Sequence, residues 1–363
     1  MILVEFVSDI LKDNYLVLII AGIFGSYLVT SQSLPFIIYF SKVKNLTAKV
    51  DERSSHTSDT PNIGGIGIIA GIYIVTLSLS FFILNYEESK FIIALFISLL
   101  ILLFMGFKDD MLGLSPIAKL LTEIGTATAF ILLTDCRLDN FYGLFGIYEI
   151  NYFASIILSI FIFVVTINSY NLIDGIDGLA GGYGIISMIA FLFLSLSANN
   201  LIGVILCVTI IGSLAGFLKF NLSKGKRKIF MGDTGSLVVG FLISVISLTI
   251  LSSKNDYSLV SENVPVIVLS ILSFPYIDTL RVMFIRKRNK QRFFDPDKNH
   301  IHHKLISSGK SHISSTIIIL SVYLSSIFFC IIFHKVNITI HFTISLLYSF
   351  FSLLALVLIF DKK

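Results

Sequence analysis

Residues 91–110 read FIIALFISLLILLFMGFKDD. An apolar run over 91–107 ends on Lys108 and two adjacent aspartates, Asp109 and Asp110. A run of about 17–25 apolar residues has the length of a helix that crosses the hydrocarbon of a bilayer. The two acids then stand at a membrane face, where a carboxylate is costly and a chemical role is its default reading. The pattern recurs along the chain. Of 363 residues, 55% are hydrophobic and 14% charged, and the mean hydropathy is +0.89. Soluble globular proteins do not have this composition. A membrane barrel would show alternating segments of about ten residues instead. Eleven stretches predict transmembrane helices: 15–38, 64–84, 91–107, 117–134, 152–167, 180–197, 200–218, 236–252, 264–284, 314–334 and 338–360. The expected fold is an all-α integral membrane protein, a polytopic bundle of about 11 transmembrane helices. The longest loops, near 39–63 and 285–313, are too short for a soluble domain, so residues 1–363 read as one membrane domain. Pro35 and Pro275 predict kinks in the first and ninth helices, because proline removes a backbone donor.

The net charge of +4 says little, but its distribution assigns sides. Alternate loops and the C-terminal tail carry 21 basic residues; the opposite set carries five, Lys12, Lys90, Arg137, Lys254 and Lys335. The positive-inside rule then puts the N-terminus outside and the C-terminus in the cytoplasm. The opening MILVEFVSDILKDNY has acids and no basic n-region, so no cleaved signal peptide is expected. Cys136, Cys207 and Cys330 are scattered in or near apolar runs and read as small buried hydrophobes.

Five polar stretches fall on the cytoplasmic side of this topology. The first is GFKDDMLGLSP, 106–116, followed by Lys119. Adjacent carboxylates repel unless a cation lies near; a solvated turn with an acid at a helix N-terminus fits this stretch equally well. The second is NSYNLIDGIDGLAGG, 168–182. Asn168, Asn171, Asp174 and Asp177 recur every third residue, a spacing that shares one side of a helical turn. An all-oxygen set suits a hard cation, Mg²⁺ or Mn²⁺. The third is FMGDTGS, 230–236, with Asp233 on a Gly-flanked turn and Thr234 or Ser236 as a helix cap. The fourth runs from Asp278 and Arg281 through Asp297 to His300, His302 and His303, amid basic residues that also suit anionic lipid heads. The fifth is the first basic loop, with Arg53, His56 and TPNIGG, 60–65.

Together these stretches resemble the polyprenyl-phosphate N-acetylhexosamine-1-phosphate transferase family, of the glycosyltransferase family 4 type. The resemblance runs from about Arg53 to the His cluster, and DPDKNHIHHKL is closest to the WecA/TagO-like branch. It implies that undecaprenyl (polyprenyl) phosphate attacks a UDP-N-acetylhexosamine, most simply UDP-GlcNAc, giving the diphosphate-linked sugar and UMP. QuiNAc, FucNAc or MurNAc-pentapeptide nucleotides are alternatives, and a membrane transporter is the rival from another class. The resemblance implies Mg²⁺, with Mn²⁺ as a substitute, on Asn171 and Asp233. It implies catalytic roles for Asp109, Asp110, Asp174 and Asp177. It gives substrate binding to Arg53, Lys119, Asn168, Asn221, His300, His302 and His303. The implied setting is a multi-pass protein of the bacterial inner (plasma) membrane, with the lipid bilayer as partner, no nucleic acid, and a homodimer compatible with the sequence. Glu123 stands where the family pattern expects Gln, and Ser169 where Ala is common.

Overall fold

The computed structural model describes residue 11 and residues 14–44, 60–252, 263–291 and 299–360. Arg53, His56 and Asp297 lie outside the described residues. Eleven helices among them are long and apolar enough to cross a membrane. These are α1 Tyr15–Val43, α2 Gly64–Ile83, α3 Tyr86–Leu112, α4 Pro116–Thr134, α5 Tyr152–Ile173, α6 Leu179–Ser197, α7 Leu201–Asn221, α8 Gly232–Leu251, α9 Val264–Arg288, α11 His312–Ile332 and α12 Ile338–Phe360. The short α10, Ile301–Ser307, was not expected from the apolar pattern. Nor was an antiparallel hairpin between α4 and α5, β1 Asn140–Leu144 with β2 Ile147–Glu149, which lies at the end of the bundle away from Asp109 and Asp233.

Helix ends differ from the hydropathy limits wherever the motifs lie. Helix α3 runs on to Leu112, α5 to Ile173 and α7 to Asn221, and α8 begins at Gly232. Hydropathy stops at the first polar residue, whereas backbone hydrogen bonding continues through it. Asp109, Asp110, Asn168, Asn171 and Asp233 therefore sit on terminal helical turns, not in loops. Local caps fix several of these limits. The Ser115 hydroxyl accepts from the Ala118 N–H, and Pro116 opens α4 where its missing donor costs nothing. Asn85 and Glu88 form a reciprocal capping box at the start of α3.

Helix α8 is the central stave. Of its most apolar stretch 94% is buried, against 28% for α4 and α12 at the rim. Phe241 of α8 stacks on Phe163 of α5 (centroids 4.8 Å) and meets Phe130 of α4 edge-on (5.5 Å). Such ring pairs add about 0.5–1.5 kcal/mol each beyond the area they bury. The cysteines behave as expected: all three are buried and none forms a disulfide among the described residues. Helices α1 and α9, which carry a proline in their interior, remain helical through Pro35 and Pro275. Pro275 cannot donate to the Ile271 carbonyl four residues back. The Tyr183 and Tyr323 hydroxyls both donate to that carbonyl instead, at 3.1 and 2.9 Å. A freed backbone acceptor inside a membrane bundle is thus re-satisfied by neighbouring helices.

Candidate active site

The site is built around the N-terminus of α8. The TPNIGG and FMGDTGS segments lie side by side. The Phe230 N–H donates to the Pro61 carbonyl (2.8 Å), the Gly64 N–H to Phe230 (2.9 Å) and the Gly65 N–H to Met231 (2.9 Å). The backbones then cross so closely that a Cβ on Gly65 would stand 2.2 Å from the Gly235 nitrogen. Gly232 has a φ of 69°, and a Cβ there would fall 1.8 Å from the Asn62 carbonyl oxygen. Only glycine fits either position. Neither Thr234 nor Ser236 caps α8, in contrast to the sequence expectation. The cap comes from α3. Asp110 Oδ1 accepts from the Asp233 N–H (2.9 Å), and Oδ2 accepts from the Thr234 N–H (2.9 Å) and hydroxyl (2.5 Å). A carboxylate at a helix N-terminus satisfies orphan donors and the helix dipole together.

Asp109, beside it, faces differently. Its Oδ1 accepts from the Leu114 N–H (2.6 Å), and its Oδ2 pairs with Lys119 Nζ (2.9 Å). Lys119, on the first turns of α4, also pairs with Asp233 Oδ2. The other Asp233 oxygen accepts from Asn171 Nδ2 (3.0 Å), which further donates to Ser236 Oγ (2.7 Å). Four helices thus meet in one network of two acids, one ammonium and one amide.

Beside this network lies a cavity of about 200 Å³, lined by Asn171, Asp174, Asp177, Asn221, Phe230 and Asp233 among others. Asp174 caps the C-terminus of α5, outside the helix. Burial first, and then the charges of Asp233, Asp110 and Asp177, push its carboxyl well above the usual carboxylate range. Asp177 leaves the helical register of Asn168 and Asn171, because α5 has ended, so the shared face expected for all four holds only for the two asparagines. Its Oδ2 pairs with Lys228 Nζ (2.6 Å) and His312 Nδ1 (3.3 Å). Burial raises the Asp177 carboxyl, but the His312 and Lys228 hydrogen bonds outweigh it and hold the group below its ordinary value. Asn221 braces this turn from both sides: Oδ1 accepts from the Gly178 N–H (2.7 Å), and Nδ2 donates to the Ile229 carbonyl (3.1 Å). Asn168, one turn deeper, donates to Glu123 and to the Val164 carbonyl.

The His motif abuts the same turn. His300 Nδ1 contacts Asp278 Oδ2 (2.9 Å), and Asp278 also accepts from Arg281 (2.8 Å) and the Ile301 N–H (3.2 Å). His302 packs over Gly175, where a Cβ would stand 2.2 Å from its Nε2. Neither ring nitrogen of His302 has a partner among the described residues. Burial, helped by His303, pushes its imidazole down to about 3. The ring is therefore neutral at physiological pH, with one N–H and one lone pair unused. His303 lies beside it, its ring tilted by 46° at 4.2 Å between centroids.

Among the described residues no three His, Cys, Asp or Glu side chains converge as metal ligands. That is not what Mg²⁺ requires, since it is held by one or two carboxylates with waters and substrate phosphates completing its shell. The side chains present fit that mode. Asp233 offers a carboxylate and Asn171 an amide oxygen with no donor on it among the described residues. Asp174 adds a buried acid crowded by the charges of Asp233, Asp110 and Asp177. The donor set is all oxygen.

The structure brings together Asp109, Lys119, Asn171 and Asp233 in direct contact, with Asp174, Asp177 and Asn221 around the adjoining cavity. It puts Asp110 under α8 as a cap and Asn168 one turn below the network. The sequence reading did not single out His312 or Lys228, the partners of Asp177. Lys228 was legible only as one charge in a basic loop, and no local pattern marked His312. The glycosyl transferase family 4 model matches residues 91–251. The chain is 33% identical over 294 residues to a Bacillus subtilis (strain 168) protein, covering 79% of this chain and 78% of that one. That protein is named a probable undecaprenyl-phosphate N-acetylglucosaminyl 1-phosphate transferase. This chain is 29% identical over 284 residues to the decaprenyl-phosphate N-acetylglucosaminephosphotransferase of Mycobacterium tuberculosis (strain ATCC 25618 / H37Rv), covering 72% and 69%. It is 28% identical over 291 residues to the undecaprenyl-phosphate alpha-N-acetylglucosaminyl 1-phosphate transferase of Escherichia coli (strain K12), covering 78% and 75%. With its motifs gathered at one end of an eleven-span bundle, this chain belongs to glycosyltransferase family 4, the polyprenyl-phosphate N-acetylhexosamine-1-phosphate transferases.

Proposed function

We propose that this protein transfers N-acetylglucosamine-1-phosphate from UDP-N-acetylglucosamine to undecaprenyl phosphate, releasing UMP. The product would open the synthesis of a cell-envelope glycan such as an O-antigen or teichoic acid. One membrane domain carries the reaction, at the cytoplasmic face of the bacterial inner membrane, with the N-terminus outside; the loop-charge asymmetry supports that orientation. The observation that carries the reading is the Asp109–Lys119–Asp233–Asn171 network beside a carboxylate-lined cavity. A transporter would set its polar residues near mid-membrane; here they lie on terminal turns at one end of the bundle.

The chemistry joins two anions, so positioning and electrostatics dominate. Lys119 supplies an ammonium that a phosphate oxygen can share with Asp109 and Asp233. Both Asp109 oxygens already accept hydrogen bonds, which supports an orienting role over that of a general base. No base is required: a phosphate monoester has a second pKa of about 6 and is mostly dianionic at neutral pH. His302 offers a neutral N–H to a phosphoryl or sugar oxygen, and His300 Nε2 a second ring nitrogen, its ring oriented by Asp278. Asp233 and Asn171 would hold Mg²⁺, and the ion would supply charge neutralisation for the phosphoryl oxygens.

The test is purified protein with undecaprenyl phosphate and a panel of UDP-sugars, reading UMP and the lipid product. UMP formation that depends on both UDP-GlcNAc and the lipid phosphate is expected. Flux across vesicles without UMP formation would overturn the reading.

A further inference from the structure

The first buried residue of α4 is an acid. From Pro116 to Thr122 every residue is exposed or half-buried; Glu123 then has no exposed surface. The apolar residues that seat α4, Ala127, Phe130 and Ile131, come only deeper. The turns that carry Lys119 thus have no buried apolar residue holding them to the bundle. What holds them is polar. Asn168 of α5 donates its Nδ2 to Glu123 Oε2, and that amide is itself steadied by the Val164 carbonyl (2.9 Å).

Spacing turns this contact into a second rung. Glu123 lies four residues after Lys119 on α4, and Asn168 three before Asn171 on α5, so each pair shares a helix face. The upper rung joins Lys119 through Asp233 to Asn171. The lower rung joins Glu123 to Asn168 one turn further into the bundle. Glu123 Oε1 and, beneath it, Thr126 Oγ1 have no partner among the described residues. A carboxyl group so placed is costly in a membrane helix, and apolar packing would seat α4 more cheaply. The cost is met because a directional bond fixes what apolar contact leaves loose, the rotation of α4 about its axis.

We infer that Glu123, through Asn168, is a positioning residue for Lys119 and hence for the ammonium between Asp109 and Asp233. The inference rests on the transfer reaction proposed above and adds a residue to it that touches no substrate.

The experiment is steady-state UMP release by the purified full chain in detergent, with melting temperature measured alongside. Glu123→Leu is expected to lower kcat about 10- to 100-fold, the scale of a displacement of about 1 Å near the chemistry, with little change in KM for the nucleotide sugar. Glu123→Gln keeps an acceptor for Asn168 and retains most of the activity. Asn168→Asp sets acid against acid and is expected to be nearly inactive. Adding Glu123→Gln to Asn168→Asp restores a donor–acceptor pair with its direction reversed, and activity returns. That swapped pair decides the matter even if Glu123→Leu does not fold. Normal kcat in folded Glu123→Leu, or no rescue by a folded swapped pair, overturns the inference while leaving the proposed reaction standing. A wild-type protein silent on the whole panel of UDP-sugars overturns the reaction itself.

Discussion

Removing the Asp110 carboxylate should damage architecture before chemistry. Its two oxygens take both backbone N–H groups at the start of α8 and the Thr234 hydroxyl, with distances of 2.9, 2.9 and 2.5 Å. Asp110→Ala strands these three donors and the Asn62 Nδ2 amide, which reaches Oδ1 at 3.5 Å. Loss of a side-chain cap costs about 0.5–2 kcal/mol, and hydrogen bonds to a charged group about 1.5–3 kcal/mol each when their partner stays dry. The site is only partly buried, so water recovers some of this, and about 2 kcal/mol is the expected net loss. Asp110→Asn is not neutral either. Each oxygen faces at least one N–H, so either amide orientation sets a donor against a donor. Thr234→Val removes one donor and keeps the cap, and should cost least. The assay pairs thermal unfolding in detergent with UMP release. The melting temperature should fall in the order Thr234→Val, Asp110→Asn, Asp110→Ala, with activity falling in parallel as Asp233 loses its place. Asp110→Ala that melts like wild type yet does not turn over would refute the capping argument and return Asp110 to the chemistry.

Asp233→Ala and Asn171→Ala should each abolish Mg²⁺-dependent UMP release while the protein inserts and purifies normally; full activity in either removes the proposed metal ligands. The His302 imidazole titrates near 6.5 in the unfolded chain and about 3 in the folded one. The unfolded chain thus takes up a proton that the folded chain refuses, and stability falls as pH drops from 6.5 towards 3. His302→Gln should flatten that acid-side loss in pH-dependent melting; an unchanged slope refutes a buried neutral ring. Asp174→Asn removes an acid that faces Asp233, Asp110 and Asp177, so it should raise the melting temperature in EDTA and shrink the gain on adding Mg²⁺. A lower melting temperature in EDTA counts against charge crowding. Gly65→Ala drives a Cβ to 2.2 Å from a backbone nitrogen of α8 and should prevent accumulation of folded protein, which size-exclusion chromatography of the solubilised chain reads directly.

Much of this protein was legible without its fold. Length and apolarity set the eleven spans, because partition into a bilayer depends on a segment's own composition. The polar stretches stood out for the same reason: carboxylates beside apolar runs are too costly to be incidental. Asp109 and Asp233 were found that way and Asn171 by its three-residue spacing from Asp174, and the resemblance of their motifs to one family agreed. Which atoms meet was not legible. Asp110 and Asp109 are chain neighbours with the same side chain, yet one caps a helix that begins 122 residues later and the other grips Lys119. The regular spacing of Asn168, Asn171, Asp174 and Asp177 promised one face, and the end of α5 after Ile173 divided it. His312 and Lys228 gained meaning only when packing brought them to Asp177. Hydropathy is a property of a segment and can be summed along the chain. A hydrogen bond needs two groups within about 3 Å, and between distant segments only the packing of whole helices supplies that distance.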